Sequence, residues 1–205
     1  MKIKKKKVLV IVAHPDDETI WMGGTLIRNK KKWDTTIISL CRKGDIDRAP
    51  KFFKVCKEYN AKCFISDLED ENLEPIDKNE IIKKIAELAE KSYDYIFTHG
   101  KNGEYGHQRH IDVHKAVIQM IVDKSLITNK IFFFSYIKKP KEDTDTGFDT
   151  YANPNANKFI NLNNLELLTK GYLIHNIYGF QIGGFEQRSC RKIESFDIKK
   201  FKQTD

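Results

Sequence analysis

Val8-Leu9-Val10-Ile11-Val12-Ala13-His14-Pro15-Asp16-Asp17-Glu18-Thr19 sets an apolar run directly against a polar one. The run is too short for a helix and rich in branched residues, so Val8 to Ala13 reads as a strand covered on both faces. A helix-period segment follows over 18–32, which puts His14, Asp16 and Asp17 in a strand-to-helix turn. In open α/β sheets ligands bind outside the carboxyl ends of strands, so these polar side chains stand where a site is expected.

The same alternation continues outward. Strands are expected at Thr35 to Cys41, Lys62 to Asp67, Tyr93 to His99 and Lys130 to Ile137, with helices over 47–60, 78–92 and 107–124 between them. Continuous runs such as Ile37-Ile38 and Ile131 to Phe134 suit a buried, mostly parallel sheet. The helix over 78–92 opens with Asp77 and Glu80 at capping-box spacing and carries Ile81, Ile82, Ile85, Leu88 and Ala89 on one stripe. From Lys139 to Lys158 the chain turns polar and rich in Gly, Pro and Asn, which reads as a functional loop or an excursion at the sheet edge. A last helix near 163–175 and an irregular end complete the pattern, with no repeat and no linker. The expectation is an α/β fold in one domain over 1–205, with a core over 8–125 and an edge strand, loop and C-terminal part over 126–205.

Composition narrows the class. At 205 residues, 40% hydrophobic and 11% aromatic, the chain buries enough apolar surface to fold without staples. No uncharged apolar stretch approaches the roughly 20 residues of a bilayer span, so no transmembrane segment is expected. Lys2, Lys4, Lys5, Lys6 and Lys7 precede the first strand, but that run ends in His14-Pro15-Asp16-Asp17 rather than a small-residue cleavage site, and it reads as mature protein. Cys41, Cys56, Cys63 and Cys190 show no C-x-x-C spacing, which points to a reducing, cytoplasmic compartment. The net charge of +7 comes from 36 basic and 29 acidic residues spread along the chain, so nucleic acid is not the expected partner. Neither a monomer nor a homo-oligomer is singled out.

Two polar clusters carry the chemistry. In the first, consecutive side chains of a turning segment point different ways, so one of Asp16 and Asp17 can bind a metal with His14 while the other faces a bound water. The second is Thr98-His99-Gly100-Lys101-Asn102-Gly103-Glu104-Tyr105-Gly106-His107-Gln108-Arg109-His110. His107 and His110, three apart at a helix start, project from one face, and His114 lies in the same arc a turn later. Two histidines and a carboxylate leave one position open on a tetrahedral metal, the arrangement of a catalytic site in which bound water has a lowered pKa. Against this stand plainer roles: Asp16 or Asp17 as helix caps, His107 as a helix-start or supporting group, His99 and His114 as hydrogen-bonding partners, Glu18 as a favourable charge at a helix start and Arg48 as a surface arginine. The first βα turn lacks G-x-G-x-x-G and sets two carboxylates where a phosphate needs backbone N–H groups, which argues against a nucleotide site.

At these two motifs the sequence resembles the zinc-dependent de-N-acetylases of the PIG-L or LmbE-like family, which carry A-H-P-D-D-E after the first strand and a later G-H-x-x-H. The resemblance covers about residues 8–125 and implies a three-layer Rossmann-like domain with its metal site at the carboxyl ends of the strands. It implies that His14, Asp17 and His110 bind Zn²⁺ or another divalent metal, that Asp16 is the general base, and that His107 and Tyr105 assist the oxyanion or leaving group. Gly23-Gly24 and Gly44 match more loosely, and Arg48 matches a substrate-contacting arginine. The implied activity is hydrolytic removal of an acetyl or other acyl group from an N-acetylated amino sugar or sugar conjugate. The alternatives are an amidase acting on a non-sugar amide or thiol conjugate, and a metal-binding module without turnover. The last 80 residues, which in the family shape the sugar pocket, depart from its pattern: the Ser-Gln pair of many members is missing, and His175 with Gln181 is the nearest substitute.

Overall fold

Val8 to Ala13 are buried to the last atom, and their alternation divides them between two cores. Val8, Val10 and Val12 join Trp21, Phe52 and Phe97 on one face, while Leu9, Ile11 and Ala13 join Ile38, Ile81, Val113 and Ile131 on the other. A strand without a polar face forms only where helices cover both sides of its sheet, and the computed structural model, which describes residues 4–201, has that arrangement. Lys2 and residues 202–205 lie outside the described residues.

The first half is a run of βα units: β1 (Lys6–Val12), α1 (Asp17–Asn29), β2 (Trp33–Cys41), α2 (Arg48–Glu58), β3 (Lys62–Leu68), α3 (Lys78–Leu88), β4 (Ser92–Thr98), the short α4 (Gly103–Gly106), α5 (Gln108–Val122) and β5 (Ile127–Phe134). These five strands pair in parallel in the order β3-β2-β1-β4-β5. The chain moves outward from β1 to β3 and returns to set β4 against the other side of β1. That reversal opens a crevice at the carboxyl ends of β1 and β4, and both polar motifs leave their strands there.

The second half departs from expectation in four places. The strand expected over Lys130 to Ile137 breaks at Ser135, whose N–H bonds to Ser195 O, and the chain leaves the sheet as β6 (Tyr136–Pro140). The polar segment from Lys139 to Lys158, expected as a loop or an excursion at the sheet edge, carries strands as well: β6 pairs antiparallel with β7 (Phe148–Ala152), and β8 (Lys158–Asn161) joins the main sheet. The end of the chain is not irregular but an eight-residue strand, β9 (Ile193–Lys200), antiparallel to both β5 and β8. The helix expected near 163–175 is α6 (Asn164–Tyr172) continued by a π-helical turn over Leu173–Ile177, and α7 (Phe185–Ser189) follows. At α3, Asp77 accepts from Asn79 N without the reciprocal Glu80 bond; the full capping box is Asn163 with Glu166 at α6.

The C-terminal elements also secure α1. The helix departs from helical geometry at Met22, and the amides freed there, Gly24 and Thr25 N–H, donate to the buried Glu194 carboxylate of β9 at 2.8 Å each. Buried Lys170 of α6 balances that charge at 2.8 Å. Gly24 gives the buried Leu162 side chain its place, and a Cβ at Gly24 would force Leu162 to shift.

Candidate metal centre

From β1 the chain passes through Ala13 and His14 into a turn at Asp16, whose φ of 129° is a strained conformation for a residue with a side chain. The turn reverses the two carboxylates. Asp17 Oδ2 accepts from the His14 amide at 2.8 Å and Oδ1 from the Trp21 indole N–H at 2.9 Å, which fixes Asp17 toward β4. Asp16, although at the helix N-cap position, makes no cap with its side chain. Its Oδ2 accepts instead from Arg48 Nη1 at 2.6 Å.

Across the crevice the second motif delivers His110 from the first turn of α5. Its Nε2 lies 3.4 Å from Asp17 Oδ2 and 3.3 Å from His14 Nδ1, and His14 Nδ1 lies 3.2 Å from the same Asp17 oxygen. Zinc–nitrogen and zinc–oxygen bonds of 2.0–2.1 Å at tetrahedral angles require ligand atoms about 3.3 Å apart. The three donors thus form a face of the required size, and the residues fit a small divalent cation. His14 with His107 and His110, His14 with Cys41 and Asp70, and Asp17 with His99 and His110 are three further donor groups among the described residues. His99 is already occupied, because its Nε2 accepts from the Ala13 amide at 2.9 Å.

Carboxylates stand behind both imidazoles of the triad. His14 Nε2 meets Asp70 Oδ1 at 2.8 Å, and His110 Nδ1 meets Glu104 Oε2 at 2.6 Å. Such a partner fixes the ring's tautomer and orientation and makes its free nitrogen a stronger donor. Burial disfavours charge on His110, but Asp17 and Glu104 outweigh it and hold its pKa up at about 10. His14 is raised by Asp17 and Asp70 in the same sense. The cluster therefore attracts positive charge, whether protons on the rings or a dication between them.

Around this centre the environments diverge. Burial and the neighbouring Asp17 charge push the Asp16 carboxyl well above the ordinary range, only partly offset by Arg48, so Asp16 has a raised affinity for a proton. Burial, then the charges of His110 and His14, take His107 down to about 3, so its ring stays neutral. Its Nδ1 is buried without a hydrogen-bond partner among the described residues. Burial and the site carboxylates keep the Tyr105 phenol protonated, and its ring packs edge-on to Phe185 at 5.0 Å. Asp16, Asp17, Tyr105, His107, His14 and Arg48 all border one open cavity of about 350 Å³.

Of the residues singled out from the sequence, His14, Asp16, Asp17, Tyr105, His107, His110 and Arg48 are thus brought together. His99, His114 and His175 are not at the cavity. His99 Nδ1 bonds to Glu104, His114 Nδ1 to the His99 carbonyl, and His175 Nδ1 to the Phe180 carbonyl. Sequence reasoning missed Asp70, Glu104 and Trp21. Glu104 lies inside the second motif, buried at a φ of 59°, but nothing in its spacing distinguished it. Asp70 had a signal that was passed over, its place just beyond the carboxyl end of β3.

In three dimensions the chain is similar to the N,N'-diacetylchitobiose deacetylase of Pyrococcus horikoshii, with a TM-score of 0.63 and 15% identity over 95% of this chain and 84% of that one. A conserved protein of Thermus thermophilus matches with a TM-score of 0.62 and 14% identity, covering 94% of each chain. The 4-carboxy-2-hydroxymuconate hydratase GalB of Pseudomonas putida follows at 0.56 and 11% identity over 98% of each. At these identities the likeness is one of fold, here an α/β fold with a mostly parallel seven-stranded sheet. In sequence the chain is 29% identical over 133 residues to an uncharacterized protein of Acanthamoeba polyphaga mimivirus, covering 55% of this chain and 57% of that protein's length. No helix among the described residues is long and apolar enough to cross a membrane. Residues 9–121, which hold both motifs and every residue of the triad, match the family described as PIG-L: GlcNAc-PI de-N-acetylase, and the chain belongs to that family.

Proposed function

We propose that the protein is a metal-dependent hydrolase that removes an acetyl group from the nitrogen of an N-acetylated amino sugar or sugar conjugate. The observation that carries this reading is the His14 Nδ1, Asp17 Oδ2 and His110 Nε2 face, at the spacing of a zinc site, opening on a cavity with a second carboxylate beside it. Family membership supports a de-N-acetylase kind of activity.

In this reading His14, Asp17 and His110 hold a divalent cation, zinc by the fit of two imidazoles and a carboxylate. When bound, it supplies Lewis-acid polarisation of the amide and activation of water. Asp16 takes the proton of the attacking water at a carboxylate oxygen, as its raised proton affinity suits it to do, and Arg48 at 2.6 Å orients it. Tyr105, kept protonated, donates to the developing oxyanion. As the C–N bond breaks, the proton held by Asp16 passes to the departing nitrogen, and His107, neutral at working pH, faces the same cavity and completes the polar wall beside it.

The test is acetate release by the metal-loaded protein from N-acetylated mono- and disaccharides, nucleotide sugars, an inositol-linked N-acetylglucosamine and simple non-sugar amides. Release from a sugar class, abolished by a chelator and restored by zinc, is the expected result. Release from non-sugar amides alone would transfer the site to the amidase reading, and silence with stoichiometric bound metal would reject catalysis.

A further inference from the structure

We infer that Trp21 is a positioning residue that sets which cation the triad takes, an inference that rests on the metal-dependent reading of the site. The Trp21 side chain is fully buried, and its indole N–H donates to Asp17 Oδ1 at 2.9 Å. The other oxygen, Oδ2, makes the contacts of Asp17 with the imidazoles: 3.2 Å to His14 Nδ1, 3.4 Å to His110 Nε2 and 3.6 Å to His99 Nε2. The carboxylate is thus divided, one oxygen for the triad and one for the indole. An indole N–H is a donor only, so turning Oδ1 toward a cation would leave that N–H buried and unpaired, at a cost. Asp17 is therefore confined to ligation through a single oxygen. Zinc and cobalt are satisfied by about four such donors, whereas manganese and calcium gather about six or more and draw on both oxygens of a carboxylate.

The indole is held in place from outside both motifs. Trp21 follows Asp17 by one turn of α1, so the two side chains share a face. Its ring packs against Tyr136 at 4.9 Å and Tyr105 at 6.2 Å between centroids. Tyr136 Oη donates to the Trp21 carbonyl at 2.8 Å, just before α1 departs from helical geometry at Met22, and Glu194 takes the Gly24 and Thr25 amides beyond that point. Strands β6 and β9 thereby aim the indole at Asp17, which gives the C-terminal part of the chain a hold on the metal centre. The second tryptophan, Trp33, pairs with Lys6 at the amino end of β1, away from the triad.

The experiment measures the affinity of the full chain for zinc, cobalt and manganese by chelator competition, in wild type and in Trp21→Phe, which removes the N–H and keeps an aromatic ring. The ratio of zinc to manganese affinity should fall about tenfold or more, within the range for loss of a group that orients a ligand. A parallel loss for both cations, or no loss for either, leaves the ratio unchanged and would make Trp21 a packing residue, overturning the inference. Two readouts on protein that retains Trp21 hold even where the variant fails to fold. Cobalt-loaded wild type should show the strong visible absorption of a four- or five-coordinate ion, and the weak absorption of a six-coordinate one would overturn the inference. In Trp33→Phe, where Trp21 alone supplies the tryptophan emission, stoichiometric cobalt should quench that emission about twofold or more, since the indole stands one hydrogen bond from the ligand carboxylate. Unquenched emission with cobalt bound would separate Trp21 from the centre and reject its role. Wild type that binds none of the three cations would overturn the metal reading and the inference with it, whereas zinc-dependent acetate release with an unchanged affinity ratio rejects the role of Trp21 alone.

Discussion

The floor and the outer wall of the cavity are built by different physics. His14 and Asp17 follow β1 directly and His110 comes from the first turn of α5, and each is held by backbone, indole or carboxylate bonds of 2.6–2.9 Å. The facing wall, Phe185 and Glu186, rides on the five-residue α7, which is tied by ion pairs to the β6–β7 hairpin. Strained backbone borders the floor: Asp16, Arg42 and Glu104 take positive φ at 129°, 74° and 59°, each costing about 1–3 kcal/mol. The difference assigns reaction geometry to the rigid half and substrate fit to the more adjustable one, and substitutions on either side can break that division.

The largest effect should come from His110→Ala, which removes one corner of the triad and leaves Glu104 facing an empty space. Metal content by atomic absorption should fall below stoichiometric and acetate release should drop to background; full activity with bound metal would remove His110 from the site. Asp16→Asn comes next. With the triad intact, metal content should stay at the wild-type level while turnover falls about 10²- to 10⁴-fold, the range for a lost general base. Unchanged turnover would assign the proton transfer elsewhere. Asp70→Asn should then weaken metal affinity about 10- to 100-fold in a chelator competition, because the carboxylate behind His14 sets the basicity of its ligating nitrogen. No change in affinity would make the Asp70 contact a packing feature only.

This ordering follows how much of the molecule could be read from its sequence. The parallel half was legible because its central strand β1 is an unbroken apolar run from Val8 to Val12, buried on both faces, because β2, β4 and β5 each end in a buried apolar run, and because the first motif lies directly at a strand end and the second opens there. Asp16 and Asp17 are indistinguishable as letters; the φ of Asp16, a property of the folded turn, gives one to the triad and the other to Arg48. Asp70 belongs to an acidic stretch, Asp67 to Glu71, in which nothing local separates the carboxylate that orients His14 from its neighbours. The antiparallel edge was less legible for a physical reason. Its strand β9, Ile193-Glu194-Ser195-Phe196-Asp197-Ile198-Lys199-Lys200, carries Glu194, Ser195 and Asp197 in a run that reads as polar. Glu194 and Ser195 are buried and Asp197 half-buried, and their places depend on partners distant in sequence: the α1 amides and Lys170 for Glu194, and Ser135 for Ser195 and Asp197.

The smallest predicted effect tests the wall directly. Asp149 of β7 is 1% exposed and receives Arg188 Nε at 2.6 Å, Arg191 Nη2 at 2.9 Å and Lys141 Nζ at 2.9 Å, so one carboxylate joins α7, the segment after it and the hairpin. Burial alone would raise its pKa, but the hydrogen bonds from Arg188, Lys141 and Arg191 outweigh that and hold it at about 2. The unfolded chain titrates near 3.9, so the native state gains stability from ionised Asp149 at all pH above about 4 and loses it as pH falls toward 2. With a tenfold difference in proton affinity equal to about 1.4 kcal/mol, and Lys141 partly screened by solvent, the contribution is about 2 kcal/mol. Asp149→Asn should therefore lower Tm at pH 7 by about 4–8 °C, and the gap from wild type should close as pH approaches 2. Because the change lies on the wall, chelator competition should show unaltered metal affinity while KM for the N-acetylated substrate rises. A loss of metal affinity with no rise in KM would mean that the wall and floor are one cooperative unit, and the division between reaction geometry and substrate fit would fail.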